Sequence, residues 1–160
     1  MSDPELLPGS PAHVERRESC PRYEFAGGVW IILADSAQTG GHIANLEAIY
    51  SRGGGLPSLI RQHEAEFAYV LAGRVRVSVG EKPDTMAQPG ALIYVPRGVR
   101  RRLTAEVDDT RIYYGLVPAG SEALVVKLGL PTTRLSMAFE DRPVDASIAA
   151  IFGIAFAAGT

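Results

Sequence analysis

The sequence has few of the residues that build covalent frameworks and metal centres. Its 160 residues include one cysteine, Cys20, and three histidines, His13, His42 and His63. A single cysteine excludes an intramolecular disulfide framework and a cysteine-rich zinc or iron–sulfur site. The 18 acidic and 16 basic residues leave a net charge of −2, so no overall positive charge attracts nucleic acid or an anionic membrane. We therefore expect neither kind of partner.

Long apolar runs are also missing. The longest one covers residues 148–158 and contains a glycine, whereas a helix needs about 20 apolar residues to span a bilayer. The first 20 residues are polar and lack the apolar segment of a secretory signal. A chain of this length is expected to fold as one domain, and we predict a cytoplasmic protein.

Several motifs of common enzyme classes do not occur. The sequence has no GxSxG elbow, no P-loop, no GxGxxG after a strand and no HExxH. No predicted strand carries the alternating aromatic and basic side chains of an RNA-binding sheet. Serine-hydrolase, phosphoryl-transfer and hydride-transfer activities are therefore not indicated.

Short apolar runs separated by Gly, Pro, Asp and Ser fill the middle of the chain. Many short strands with regular turn signals are typical of an all-β sandwich or barrel, and the lack of intervening helices argues against a parallel sheet. The predicted strands cover residues 29–33, 43–50, 56–61, 67–71, 74–79, 91–95, 100–105 and 111–117. We divide the chain into an N-terminal arm (1–20), a barrel (21–118) and a C-terminal helical extension (119–160).

The C-terminal extension has helical signals. Residues 119–128 form a plausible short helix ended by Gly129, and Asp145 is placed to cap a second one. In that second helix five apolar residues fall on one face, which we expect to pack against the barrel or a partner subunit. They are Ile148, Ile151, Phe152, Ala155 and Phe156.

Two spaced motifs lie in the middle of the chain, largely within the segments EFAYVLAGRVRVSVG and GALIYVPRGVRRRL. Their residues are Gly53, Glu66, Gly73, Gly90, Pro96 and Gly98. These motifs resemble those of the cupin superfamily, in particular its small, single-domain, quercetin-dioxygenase-like members, and the similarity covers about residues 24–130. The resemblance implies a small antiparallel β-barrel of the jelly-roll, or double-stranded β-helix, type with short C-terminal helices outside it. It also implies a homodimer.

The same comparison implies that the metal-binding histidines are replaced. Leu59, Arg61 and Arg101 stand where the family motifs have histidines, and only the acidic position, Glu66, is kept. Leucine offers no lone pair, and a guanidinium repels a cation. We therefore expect no metal cofactor.

The residues around Glu66 suggest a catalytic cluster. On the cupin frame Arg61 and Arg101 flank Glu66, so they are expected to clamp an anionic group of a substrate while Glu66 orients them or acts as a general base. His63 is the candidate acid/base group near the mouth. The alternatives are a purely structural ion-pair network and, for His63, an ordinary surface histidine.

A second set of residues is expected to line the substrate pocket. Strand alternation from Glu66 puts Ala68 and Val70 on the cavity side. Asn45 and Glu47 share a face of one strand, so they are pocket groups if that face points inward and solvated groups otherwise. The predicted lining is Leu59, Tyr50, Asn45, Glu47, Ala68, Val70, Leu103 and Tyr114.

These features lead to three functional hypotheses. The first is a metal-independent enzyme that acts on a small organic substrate in the barrel, of the cyclase or isomerase type found in natural-product tailoring. The second is a metal-dependent cupin dioxygenase or isomerase with atypical ligands such as His63, Glu66 and His42. The third is a non-catalytic binder or sensor of a small molecule.

Overall fold

The computed structural model describes residues 12–135 and 144–156, and parts of the predicted arm and extension lie outside this range. The strands are β1 (Arg22–Phe25), β2 (Gly28–Ala34), β3 (Ala44–Tyr50), β4 (Leu59–Arg61), β5 (Ala65–Ala72), β6 (Val75–Val79), β7 (Thr85–Ala87), β8 (Leu92–Val95), β9 (Arg100–Ala105), β10 (Thr110–Val117), β11 (Leu130–Pro131) and β12 (Ile154–Phe156). The helices are α1 (Ser36–Thr39), α2 (Glu122–Leu128) and α3 (Ala146–Ile151). A single 3-10 turn, Arg17–Ser19, precedes them.

Two antiparallel sheets face each other and enclose the core. One has the strand order β11-β1-β2-β3-β10-β5-β8, and the other has the order β12-β4-β9-β6-β7. Each of the eight predicted strands overlaps a strand of the structure, although only residues 59–61 of the predicted strand 56–61 are in β4, and the predicted small all-β barrel is confirmed. Strands β1, β7, β11 and β12 were not predicted, because they are short and lack a clear alternation of apolar and polar residues.

Strand alternation decides which side chains enter the barrel. On β3, Leu46 and Tyr50 belong to the main buried cluster, whereas Ile49 belongs to a smaller cluster on the opposite face. The two sheets pack their inner faces together, so the main cluster is shared between them. The interior at the level of the ion-pair residues is consequently closely packed.

Glycines allow tight connections at two points, and one of them, Gly73, belongs to the sequence motifs. Gly73, in the turn between β5 and β6, has a φ of 83°. A Cβ at this position would lie 2.4 Å from the Thr110 hydroxyl oxygen, so only glycine fits without a shift. Gly55, with a φ of 135°, lies so close to the Leu103 carbonyl that a Cβ there would be 2.2 Å from it.

The C-terminal segment differs from its prediction. α3 begins after the Asp145 cap, as expected, but it ends at Ile151, and Gly153 follows with a φ of 72°. The chain then forms β12, which pairs with β4 at the edge of the smaller sheet. The predicted five-residue helical face is therefore wrong beyond α3. Gly153 breaks the helix, and an unpaired sheet edge takes up the next residues.

The described part of the N-terminal arm packs on the outside of the larger sheet. Cys20 is buried there against Ile31 and Ile49. Burial raises the pKa of its thiol, and the charge of Glu15 adds to this effect. Among the described residues, no helix has both the length and the apolar character needed to cross a membrane.

Candidate active site

Three charged side chains meet inside the barrel. Arg101, on β9, donates from Nε to Glu66 Oε2 at 2.8 Å and from Nη2 to Glu66 Oε1 at 2.6 Å. Arg61, on β4, donates from Nε to the same Oε2 at 3.3 Å. Glu66 and Arg101 are each 1% exposed. The carboxylate is thus held by a bidentate arginine and a second guanidinium, as the sequence predicted for these residues.

The strand register explains why these side chains converge. Glu66 lies near the start of β5, and its neighbours across the sheet are Leu116 and Val95. In the facing sheet, Arg101 lies opposite Leu59. Side chains opposite each other on paired strands share a face, so both rows point into the barrel. The two sheets bring Arg101 and Glu66 together across the core.

The electrostatics of the cluster favour its charged form. Burial by itself would raise the pKa of Glu66, but the charges and hydrogen bonds of Arg101 and Arg61 outweigh it and lower the pKa to about 2. Burial likewise would lower the pKa of Arg101, and the carboxylate of Glu66 more than reverses this. Glu66 is therefore an anion throughout the neutral and mildly acidic range.

The cluster extends through two residues that sequence reasoning missed. Arg61 Nη1 donates to Ser121 Oγ at 2.7 Å, and that hydroxyl donates to Glu64 Oε2 at 2.8 Å. The backbone N–H of Ser121 also donates to Glu64 Oε1 at 3.1 Å. Burial raises the pKa of Glu64, against the opposing charge of Arg61. The only sequence signal was the position of Glu64 two residues before Glu66, just ahead of β5.

The loop before α2 is anchored from its other side by Glu122. This buried carboxylate accepts from the Gly120 N–H at 2.6 Å and from the Ser36 N–H at 2.7 Å. The Ser36 hydroxyl donates to it as well. Ser121 is consequently fixed between the barrel cluster and the outer loop. Within the described residues, no buried side-chain nitrogen or oxygen lacks a hydrogen-bond partner.

Two tyrosines lie next to the ion pair. The hydroxyl groups of Tyr50 and Tyr114 are 3.0 Å apart, and Trp30 stacks on Tyr114 with 5.2 Å between the ring centroids. Burial raises the pKa of Tyr114 to about 12 and raises that of Tyr50 as well. Charges of Arg101 and Glu66 act on both phenols. Both tyrosines therefore keep their protons near neutral pH, and one of the two hydroxyl groups donates to the other.

A cavity of about 410 Å³ opens between β6, β7 and β8, and two of its lining residues neighbour residues of the inner face in the strand register. Val79 lines it and lies opposite Arg101 in the register of β6 and β9. Ile93 lines it too and lies opposite Ala68, which in turn lies opposite Tyr114. Along the inner face of the larger sheet, Ile93 and Ala68 therefore lie between this cavity and Tyr114.

Most of the predicted lining residues lie inside the barrel. Leu59, Ala68, Val70 and Leu103 are buried members of the main core cluster, together with Tyr50 and Tyr114. They pack against one another and are not among the residues that line the 410 Å³ cavity. The lining of that cavity comes largely from β6 to β8, where sequence reasoning assigned no site residue.

Asn45 and Glu47 do not line the barrel, which corrects their assignment to the pocket. They lie on the face of β3 opposite to Leu46. Asn45 accepts a hydrogen bond from the Tyr113 hydroxyl. Glu47 is buried rather than solvated, because Arg17 and Arg111 both bind it, at 2.8 and 2.7 Å. The alternation along β3 allowed either face to point inward, and tertiary packing placed the face of Asn45 and Glu47 outward.

The histidines are not part of the cluster. His63 is exposed, and its ring lies against Gly153, where an added Cβ would be 2.3 Å from the ring. His42 is exposed as well. The predicted acid/base position of His63 is therefore not supported, since the chain turns away from the barrel interior between β4 and β5.

The residues at the expected metal-ligand positions do not suit a metal ion. The Leu59 side chain is buried and has no donor atom, while Arg61 and Arg101 direct their guanidiniums onto Glu66. A metal ion there would have to displace two positive charges from a single carboxylate. Among the described residues, no group of three or more His, Cys, Asp or Glu side chains is arranged to hold a metal ion.

Comparisons with known proteins agree with this architecture. Among solved structures, KdgF from Halomonas sp. has a TM-score of 0.58 and 16% identity over 66% of this chain and 94% of its own. Pac13, a nucleoside dehydratase from Streptomyces, has a TM-score of 0.58 and 16% identity over 71% and 88%. An RmlC-like cupin from Shewanella frigidimarina has a TM-score of 0.58 and 15% identity over 68% and 93%.

These identities are too low to show more than a shared fold. No curated protein matches the sequence. The family model described as "Cupin domain" matches residues 47–114, which run from β3 to β10 and include the whole ion-pair cluster of Arg61, Glu66 and Arg101. This match spans fewer than half of the 160 residues, and together with the shared barrel fold it supports the resemblance to the cupin superfamily.

Proposed function

We propose that this protein is a metal-independent cupin enzyme that acts on a small organic substrate in the 410 Å³ cavity beside Arg101 and Tyr114. The observation that carries the proposal is the bidentate contact of Arg101 with Glu66. Through this contact a permanently charged guanidinium occupies both oxygens of Glu66, the carboxylate at the acidic metal-ligand position. A homodimer is part of the same proposal.

Glu66 acts in this proposal as a positioning residue. All of its described hydrogen bonds come from guanidiniums, and its pKa of about 2 makes it a poor proton acceptor near neutral pH. The carboxylate instead fixes the orientation of Arg101. This argues against the general-base role and in favour of the orienting role that the sequence left open for Glu66.

The remaining interior groups are hydrogen-bond donors. Tyr50 and Tyr114 are neutral phenols, and Arg101 carries fixed positive charge beside them. Preorganised donors in a site with little water stabilise negative charge that develops on a carbonyl oxygen. An apolar enclosure with few polar groups also holds a flexible substrate in a reactive conformation. Cyclisation or isomerisation of a carbonyl compound, as in natural-product tailoring, is the reaction class that fits these groups.

The structural neighbours support the substrate class only. Pac13 is a nucleoside dehydratase, and its structures include complexes with uridine. That protein therefore shows a small organic molecule bound to a related fold. The chemistry proposed for the present chain comes from its own donors.

Replacement of Tyr114 by Phe tests the proposal. A panel of small carbonyl compounds is first screened with the purified protein for conversion by mass spectrometry. Tyr114→Phe is expected to lower kcat for a converted compound by about 100-fold, because it removes one donor to the developing charge. Tyr113→Phe is the matched control, since Tyr113 lies on the outer face of the same strand. Equal losses in both variants would contradict the assignment.

Metal content gives an independent check. We expect full conversion in the presence of EDTA and no stoichiometric metal in the purified protein. A bound metal whose removal abolishes conversion would favour the second hypothesis, a metal-dependent dioxygenase or isomerase. Binding of panel compounds without any conversion would favour a non-catalytic binder, which the complete internal pairing of the cluster also suits.

A further inference from the structure

The cavity between β6, β7 and β8 has a lining with an uneven distribution of charge. Its volume of about 410 Å³ falls within the range of small-molecule sites, about 300–1,000 Å³. Most of the lining side chains are apolar, and Lys82 is the one charged side chain among them. We propose that the cavity takes a ligand with an apolar body and a single anionic group, such as a carboxylate or an enolate, paired with Lys82. This inference rests on the proposed function, because it assigns the substrate class of the same cavity.

The acidic side chains near Lys82 are engaged elsewhere. Asp84 accepts a hydrogen bond from Ser78 Oγ at 2.7 Å and lies 3.9 Å from the Arg76 guanidinium. Glu106 also binds Arg76, at 2.7 Å. Ser78 and Arg76 alternate along β6 with the inward-facing Val77, so these carboxylates are held on its outer face.

Glu81 faces a different hollow from that of Lys82. It lines a depression with Ile60 and Arg100, whereas Lys82 lines the cavity with Val77 and Val79. The ammonium of Lys82 is thus left to interact with a ligand. Because Lys82 is exposed, the strength of its attraction to an anionic ligand depends on the salt concentration.

The apolar residues of the cavity determine that the rest of the ligand is apolar. Val79 and Ile93 line the cavity on the side of Arg101 and Ala68, and Met86 and Leu92 line it with exposed side chains. Exposed apolar side chains beside a cavity gain free energy when an apolar ligand covers them. Methionine adapts its shape to such a ligand.

The inner end of the cavity explains why one anionic group is expected and not two. Arg101 lies beside Val79, but its charge is already paired with Glu66. A second anion at that end would lose its hydration without gaining an unpaired cation. The ligand is therefore oriented with its anionic group at Lys82 and its uncharged part towards Arg101 and Tyr114.

The test compares two probes that differ only in charge, 2-naphthoate and 2-naphthamide, by isothermal titration with the full chain. We expect the wild-type protein to bind 2-naphthoate about fivefold more tightly than 2-naphthamide, and added salt to reduce this preference. Lys82→Gln is expected to abolish the preference while leaving 2-naphthamide binding unchanged. Because Lys82 is exposed, this variant is expected to fold normally.

Lys127→Gln is the matched control, because Lys82 and Lys127 are the two lysines of the chain. Lys127 borders a separate hollow outside the barrel, so a loss of preference in Lys127→Gln alone would move the anion site there and overturn the inference. A preference that survives in Lys82→Gln, or no binding of either probe to the wild-type protein, would overturn it too. None of these outcomes affects the comparison of Tyr114→Phe with Tyr113→Phe, which judges the proposed function separately.

Discussion

Two carboxylates in this protein are each bound by two arginines, one inside the barrel and one outside it. Glu66 is bound by Arg61 and Arg101, and Glu47 is bound by Arg17 and Arg111. The chemical groups are the same, and both carboxylates are buried. The two clusters differ in how far their arginine side chains are exposed to water.

The inner guanidiniums are withdrawn from water, while the outer ones are not. The side chain of Arg101 is 1% exposed, whereas those of Arg17 and Arg111 are 29% and 37% exposed. Desolvation of an ion pair offsets much of its attraction, so the inner cluster is not a strong source of stability compared with an apolar core. The outer cluster attaches the arm to the sheet, and its partly exposed arginines lose less of their hydration. The effect of the inner cluster is instead to place two guanidiniums around one carboxylate inside the barrel.

The largest predicted effect comes from breaking the inner pair. Arg101→Met leaves Glu66 buried with only the longer contact to Arg61, and is expected to reduce the free energy of unfolding by about 3–5 kcal/mol. Arg111→Met is the control in the outer cluster, and we expect a loss below about 1 kcal/mol because its partner keeps Arg17 and water is near. Urea unfolding measures both. Similar losses would remove the distinction between the two clusters.

Acid titration sharpens the comparison. The pKa of Glu66 is lowered from 4.5 to about 2, so its charged form stabilises the fold above pH 4.5, and this contribution is lost as the pH falls towards 2. The difference in unfolding free energy between the wild type and Glu66→Gln is therefore expected to be largest at neutral pH. It should shrink by roughly 3 kcal/mol between pH 4.5 and 2. A constant difference over this range would show that Glu66 is not held as an anion.

The smallest predicted effect concerns the arm. Arg17→Ala removes one partly exposed partner of Glu47 and is expected to cost about 0.5 kcal/mol in urea unfolding. The looser arm should also let Cys20, which is buried beneath it, react faster with a thiol reagent. Arg16→Ala is the control, because residue 16 is exposed. Unchanged Cys20 reactivity in Arg17→Ala would mean that the apolar contacts of the arm hold it without the ion pair.

The resemblance to the cupin superfamily implied that Arg61 and Arg101 meet at Glu66, and the structure shows these contacts. Local sequence patterns were sufficient for the strands and turns of the barrel. They succeeded because strand alternation and positive-φ turns depend on neighbouring residues.

The contacts that join distant segments were not predictable in this way. Ser121 and Glu64 are separated by 57 residues, and nothing local in either segment indicates their pairing. The outward placement of Glu47 also depended on the arm and on Arg111. A strand with apolar residues on both faces carries no pattern that selects one of them.

The sequence by itself determined the small all-β barrel, and its resemblance to the cupin superfamily implied the replaced histidines and the grouping of two arginines with one glutamate. Only the tertiary structure decided that the cluster is closed by its own hydrogen bonds, that Ser121 extends it and that the open cavity lies beside it. The reason is physical. Residue types and their periodicity specify which groups face inward, whereas the space left between two packed sheets depends on every side chain that they bury.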